Sequence, residues 1–163
     1  MTEIDRIAEE IARRLTERKE SVAVAESAAG GLIAAALLGV PGASAYFKGG
    51  VVAYTSEGKV RLAGMTRAQI EKDRSATIPH TAILAELIRE RLGATWGLAE
   101  TGAAGPTGNR YGDAAGHAAL AVAGPVTRTE TVATGQADRR QNMAAFAVAA
   151  LRLLGEVLKE TKG

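Results

Sequence analysis

Apolar residues recur along this chain in two rhythms, and the switches between them predict its elements. Ile4, Ile7, Ile11 and Leu15 share one side of a helix, with Thr2 placed to cap it. The segment SVAVA (21–25) reads instead as a short buried strand. Residues 30–38 form an alanine-rich helical stretch suited to close packing, VPGAS is a turn, and GGVVAY (49–54) is a second strand. SEGKVRLAG (56–64) predicts a short helix ended by Gly64, and Thr66 starts another through Lys72. Ile83, Leu84, Leu87, Ile88 and Leu92 give an amphipathic helix over 81–92, ended by Gly93. TWGLAE (95–100) is a third strand, followed by a glycine-rich loop over 101–116. HAALAVAG and VTRTETVAT predict an antiparallel hairpin around Gly124-Pro125. A final helix, about 138–159, carries Met143, Phe146, Ala147, Ala150, Leu151, Leu154 and Leu158 on one side.

Helices alternate with strands early and a hairpin comes late. The expected fold is therefore α/β: a single-domain three-layer α/β/α sandwich over 1–163, with a mixed, mostly parallel sheet and a C-terminal hairpin. A chain of 163 residues buries enough surface to need no staple, and it has no cysteine. That excludes disulfides, thiol nucleophiles and cysteine-bound metals. No apolar run approaches the roughly 20 residues that span a bilayer. The charged start MTEIDRIAEEIARRLTERKE does not read as a targeting peptide, so a soluble cytoplasmic protein is expected.

Charge narrows the partners. The net charge is only +2, and acids interleave with bases, as in Glu9, Glu10, Arg13 and Arg14. Aromatic residues are 4% of the chain, too few for a platform that stacks bases, and no basic patch stands out. Neither a nucleic acid nor a membrane is an expected partner.

The candidate chemistry lies where strands end. Ser27 sits at the seam between the first strand and the helix after it, and Gly30-Gly31 opens that helix. Backbone amides at such a place bind anions. Gly102, Gly105 and Gly108 let a second loop approach a ligand closely, and α/β sheets place ligands at strand ends. The fingerprints GxGxxG and GxxxxGK[ST] are absent. His80 and His117 accompany no motif and lack the HExxH spacing, so no metal is expected. The remaining base for a serine is a lysine. Lys59 follows Tyr54 in AYTSEGK, in the first turns of a helix, where the dipole and any burial disfavour a protonated amine. Local sequence alone leaves a solvated surface lysine as the alternative.

Five segments together resemble one family. They are Ala25-Glu26-Ser27, Gly30-Gly31, VPGASAYF, GGVVAYTSEGK and TGAAGPTG, in an order and spacing similar to the CinA C-terminal family, the nicotinamide mononucleotide deamidases. The resemblance covers essentially the whole chain. It implies a serine amidohydrolase, needing no cofactor, that converts nicotinamide mononucleotide to the acid and ammonia. It implies Ser27 as nucleophile, Lys59 as general base, and Tyr54 as a proton-relay or orienting group. It further implies Ser44 as a pocket hydroxyl, the amides near Gly30-Gly31 on the oxyanion or phosphate, and Thr101, Gly102 and Gly105 against the nucleotide. A homo-oligomer is also implied. The chain departs from the family pattern at Ala28 and Ala29 (Cys-Thr in the family), Ser56 (Asn), Asp113 (Lys) and Gln136 (Arg), with Arg139 in that role only if the alignment slips by a few residues. The substitutions leave open a paralogue acting on another small amide, or a non-catalytic member that binds a nucleotide or a protein.

Overall fold

The computed structural model describes residues 1–163. One five-stranded sheet, in the order β2-β1-β3-β4-β5, carries the chain. The strands are β1 (Val22–Glu26), β2 (Phe47–Val52), β3 (Trp96–Ala103), β4 (His117–Ala123) and β5 (Arg128–Ala133). β1 pairs in parallel with β2 and β3, whereas β3–β4 and β4–β5 are antiparallel. The sheet is mixed, as expected, but evenly divided rather than mostly parallel. The reason is the loop after β3, which returns the chain without a crossover helix, so β4 must run back along its neighbour.

The crossovers β1-to-β2 and β2-to-β3 run in opposite directions along the sheet and so lie on opposite faces. Helix α2 (Leu32–Leu38) covers one face beside α1 (Glu3–Arg18) and α6 (Arg139–Glu160). Helix α5 (Ile78–Leu92) covers the other, preceded by the turn α3 (Ser56–Gly58), a π-helical turn (Lys59–Ala63) and α4 (Arg67–Lys72). Strand alternation separates the cores. Val22, Val24, Trp96 and Leu98 pack toward α1, α2 and α6; Ala23, Ala25 and Ala99 pack toward α5. The first core has large side chains and the second mostly alanine, so α5 lies close to the sheet.

The predicted elements recur with small shifts at their ends. Helix α5 begins at Ile78, earlier than the apolar pattern suggested, because Pro79 is tolerated in a first helical turn. The 56–64 helix is split, with the π turn taking Lys59–Ala63. Helix α6, at 22 residues, is by length and composition able to cross a bilayer, which the sequence pattern did not suggest. More than half of its apolar stretch is buried inside the fold, where it forms the spine of the larger core.

Candidate active site

The strand order places β1 beside β2, and the chain leaves both at the same edge of the sheet toward helices on opposite faces, α2 and α5. That edge is the crevice where the winding direction reverses, the usual ligand position in such folds. Ser27 stands at the end of β1, 5% exposed. Its hydroxyl makes no hydrogen bond, while its amide and that of Ala29 donate to Glu100 Oε2 at 3.1 and 2.8 Å. The Ala28 amide between them has no partner.

Helix α2 is capped from the preceding strand. The Glu26 carboxylate accepts from the amides of Gly31, Ile33 and Ala34 at 2.9–3.1 Å. The Gly30 amide donates to the Ser27 carbonyl at 3.2 Å. The amides expected near Gly30-Gly31 to hold an oxyanion or phosphate are thus engaged within the chain. This corrects the sequence expectation, and the cause is the neighbouring carboxylate of the same motif. Burial pushes the Glu26 carboxyl up from its ordinary range, against the pull of those amides.

Lys59 is 3% exposed, not a surface lysine. Its position at the start of the π turn, a distortion common at functional sites, carries the amine into the crevice. Burial brings the amine down to about 8, with the nearby Glu100 charge opposing the fall. Its hydrogen bond goes to Ser75 Oγ at 2.8 Å, and none joins it to Ser27. Glu100 is fully buried and pushed up to about 7, mainly by desolvation. His80, also buried, is brought down to about 4 by desolvation and then by the Lys59 charge. Its Nδ1 meets the Asp73 carbonyl at 2.8 Å. His80 Nε2 and Glu100 Oε1 are buried without a hydrogen-bond partner. Two such atoms around one buried amine are costly for stability, as functional sites often are.

The other expected residues are distributed less uniformly. Tyr54 is exposed, and its hydroxyl accepts from Arg139 Nη2 at 3.1 Å rather than meeting Lys59. Arg139 also donates to the Gly105 carbonyl at 2.6 Å, joining the start of α6 to the glycine-rich loop. Beside it a groove of about 360 Å³ is lined by Leu32, Arg139, Arg140 and Met143. Thr101 is fully buried, accepting from the Ala76 amide at 3.0 Å and donating to Thr81 Oγ1 at 2.7 Å, since Thr81 donates its own proton to the Thr77 carbonyl. It fastens the loop before α5 rather than facing a ligand. Gly102 is required by packing, since a Cβ there would lie 2.8 Å from both Ala118 Cβ and the His117 carbonyl. Ser44 lies in the 3-10 turn Ala43–Ala45 just before β2. The parallel register Val22↔Phe47 puts that turn at the opposite edge of the sheet from Ser27. Within one chain Ser44 is therefore not a pocket hydroxyl, because a parallel crossover must begin its strand at the far edge.

Sequence reasoning missed Glu100, Ser75 and the site position of His80. An acid ending an otherwise apolar strand was the one visible signal for Glu100. Ser75 had none, since its partner is 16 residues away in sequence.

Comparison with known proteins identifies the family and the fold. The family model of the CinA C-terminal domain matches residues 4–158. The chain belongs to the CinA C-terminal domain family. A CinA-like protein of Chlorobium limicola is 37% identical over 161 residues, covering 95% of this chain and 37% of that protein. One from Anaeromyxobacter dehalogenans is 41% identical over 158 residues, covering 95% and 38%. The chain thus spans under two fifths of the length of these relatives. Among solved structures, competence damage-inducible protein A of Klebsiella pneumoniae superposes with a TM-score of 0.92 at 26% identity, covering 98% of this chain and 99% of that one. A competence/damage inducible protein of Agrobacterium tumefaciens gives 0.90 at 27% identity, covering 98% and 97%. CinA membership and the CinA fold extend over nearly the whole chain.

Proposed function

We propose that this CinA domain is a serine–lysine amidohydrolase of small carboxamides, with nicotinamide mononucleotide the leading substrate on the family resemblance. The observation that carries the reading is the buried Lys59 amine, brought down to about 8 and close enough to feel the charge of Glu100, the carboxylate that holds the Ser27 amide. Continuing the alternation of β1, Ser27 falls on the α5 side, the side of Ala23 and Ala25 and of Lys59.

In the reaction, neutral Lys59 removes the Ser27 proton as Oγ attacks the carboxamide carbon. The negative charge moves to the carbonyl oxygen, for which the unpartnered Ala28 amide is the donor at hand. This is the amide directly after the nucleophile, a position other serine hydrolases also use. The carbon–nitrogen bond then breaks, Lys59 gives its proton to the departing nitrogen, and ammonia leaves an acyl-serine ester. Water attacks the ester, Lys59 takes a proton again, and Ser27 Oγ recovers it as the carboxylate is released. Glu100 holds the Ser27–Ala29 turn in place. Arg139 and Arg140, at the rim, supply positive charge for an anionic group on the substrate.

A second reading, hydrolysis of a different carboxamide, is favoured by Ala28-Ala29, which offers no side-chain hydrogen bond where the family has a threonine. In either reading the domain works as a soluble cytoplasmic enzyme, with a homo-oligomer as the expected assembly.

The test is ammonia release from nicotinamide mononucleotide, its riboside and simple carboxamides. Release that is lost in both Ser27→Ala and Lys59→Ala supports the proposal. Full activity in Ser27→Ala refutes it, and release from another amide alone selects the second reading.

A further inference from the structure

We propose that Ser75 is the positioning residue of Lys59, the group that fixes the amine for proton transfer; this rests on the serine–lysine reading above. A lysine side chain turns about four bonds and loses rotamer entropy when held in one place, so a catalytic amine needs an anchor. The hydrogen bond from Lys59 Nζ to Ser75 Oγ, at 2.8 Å, is the only one the amine makes. Its chemistry suits the task. A neutral amine has two N–H groups and one lone pair. Donating one N–H to Ser75 leaves the lone pair free for the proton of the attacking serine.

The segment holding Ser75 is tied down from several sides. The Ala76 amide donates to Thr101 Oγ1 on β3 at 3.0 Å, and His117 Nε2 of β4 meets the Ala76 carbonyl at 2.8 Å. Arg74 donates to the Ser75 carbonyl at 3.1 Å and is held by Asp113 at 2.7 Å. Thr77 Oγ1 donates to the Arg74 carbonyl at 2.6 Å. Ala76 is held at φ +61, a left-handed conformation that is strained for an alanine. Strain of this kind persists only where the surroundings over-determine it, and it clusters at functional sites. Here it falls on the residue directly after Ser75.

The charged and titratable groups around the amine are Glu100 from β3 and His80 from α5, with Glu26 at the end of β1 acting on Glu100. None of them hydrogen-bonds the Lys59 amine, so none substitutes for Ser75 as its anchor.

The experiment compares wild type, Ser75→Ala and Ser75→Thr in the full chain, by two readouts. The first is the titration of Lys59, followed by NMR of 13C-labelled lysine and assigned with Lys59→Ala. An acceptor bound to the amine favours its charged form, so Ser75→Ala lowers the Lys59 midpoint and Ser75→Thr restores it. The second is ammonia release from a carboxamide that the wild type hydrolyses. Ser75→Ala is expected to lower kcat about 10- to 100-fold, within the range of misplaced acid–base groups, with KM within about twofold; threonine recovers most of the loss. An unchanged Lys59 midpoint and unchanged kcat in Ser75→Ala overturn the proposal. So does a fluorophosphonate adduct found on Ser75 in place of Ser27, which makes Ser75 the nucleophile itself. If the wild type hydrolyses no carboxamide, the amidase reading falls, while the Lys59 titration still decides the role of Ser75.

Discussion

Lys59 carries a buried amine at the centre of the proposed chemistry. Its amine titrates at about 8 rather than 10.5. Below about 8 the folded chain holds a buried cation that the unfolded chain would hydrate, and that penalty is relieved only as pH rises between the two values. The same depression makes the amine an available base, so activity is expected to rise with pH up to about 8 and then level off. Lys59→Met removes the charge while roughly preserving the side chain's length. The expected outcome is loss of amidase activity together with a thermal midpoint several degrees higher, checked by ammonia release and calorimetry on the same sample. A variant both inactive and less stable would mean that the buried amine supports the fold.

At the scale of elements, the crevice depends on how closely α5 approaches the sheet. Gly97 of β3 sets that distance, since a Cβ there would lie 2.0 Å from the Ala85 carbonyl of α5 and 2.9 Å from Arg89 Cβ. Backbone cannot yield as a flexible side-chain tip can, so the helix would have to lift. Helix α5 carries His80 and Thr81, and its leading loop carries Ser75. Gly97→Ala should cost about 3 kcal/mol by urea unfolding. It should also reduce activity in whatever fraction remains folded, because lifting α5 draws Ser75 away from Lys59. Glycine at a central strand position weakens a strand by propensity; here it is required because another backbone comes so near.

For the molecule as a whole, the buried site makes opposing contributions to stability against pH. His80 titrates at about 4 in the fold against 6.5 when free, so acidification through that interval charges the unfolded histidine first and favours unfolding. Glu100 titrates at about 7 against 4.5, so its contribution is complete below 4.5 and is lost as pH rises through 7. The slopes oppose each other where the intervals overlap. Glu100→Gln removes one of them and can still accept from the Ser27 and Ala29 amides. Relative to wild type, that variant should lose more stability on going from pH 7 to pH 5, measured as the shift in urea midpoint. An equal shift in both proteins would show that Glu100 does not titrate across this range.

Period and turn chemistry were local, so they were legible: the stripe of Ile4, Ile7, Ile11 and Leu15, the glycine stops at 64 and 93, and the hairpin at Gly124-Pro125 each rest on neighbours in the chain. The resemblance around Ser27 and Lys59 was legible for the same reason, being carried by short ordered segments. The burial of Lys59, the capping of α2 by Glu26, the removal of Ser44 to the opposite edge and the Lys59–Ser75 bond were not. Each depends on strand order and on which face a crossover takes, which decide what stands beside a residue. Sequence alone determined which elements form and which chemical groups sit at their ends. Tertiary structure alone decided which of those groups meet, because desolvation and hydrogen bonding act between residues that only the folded sheet makes neighbours.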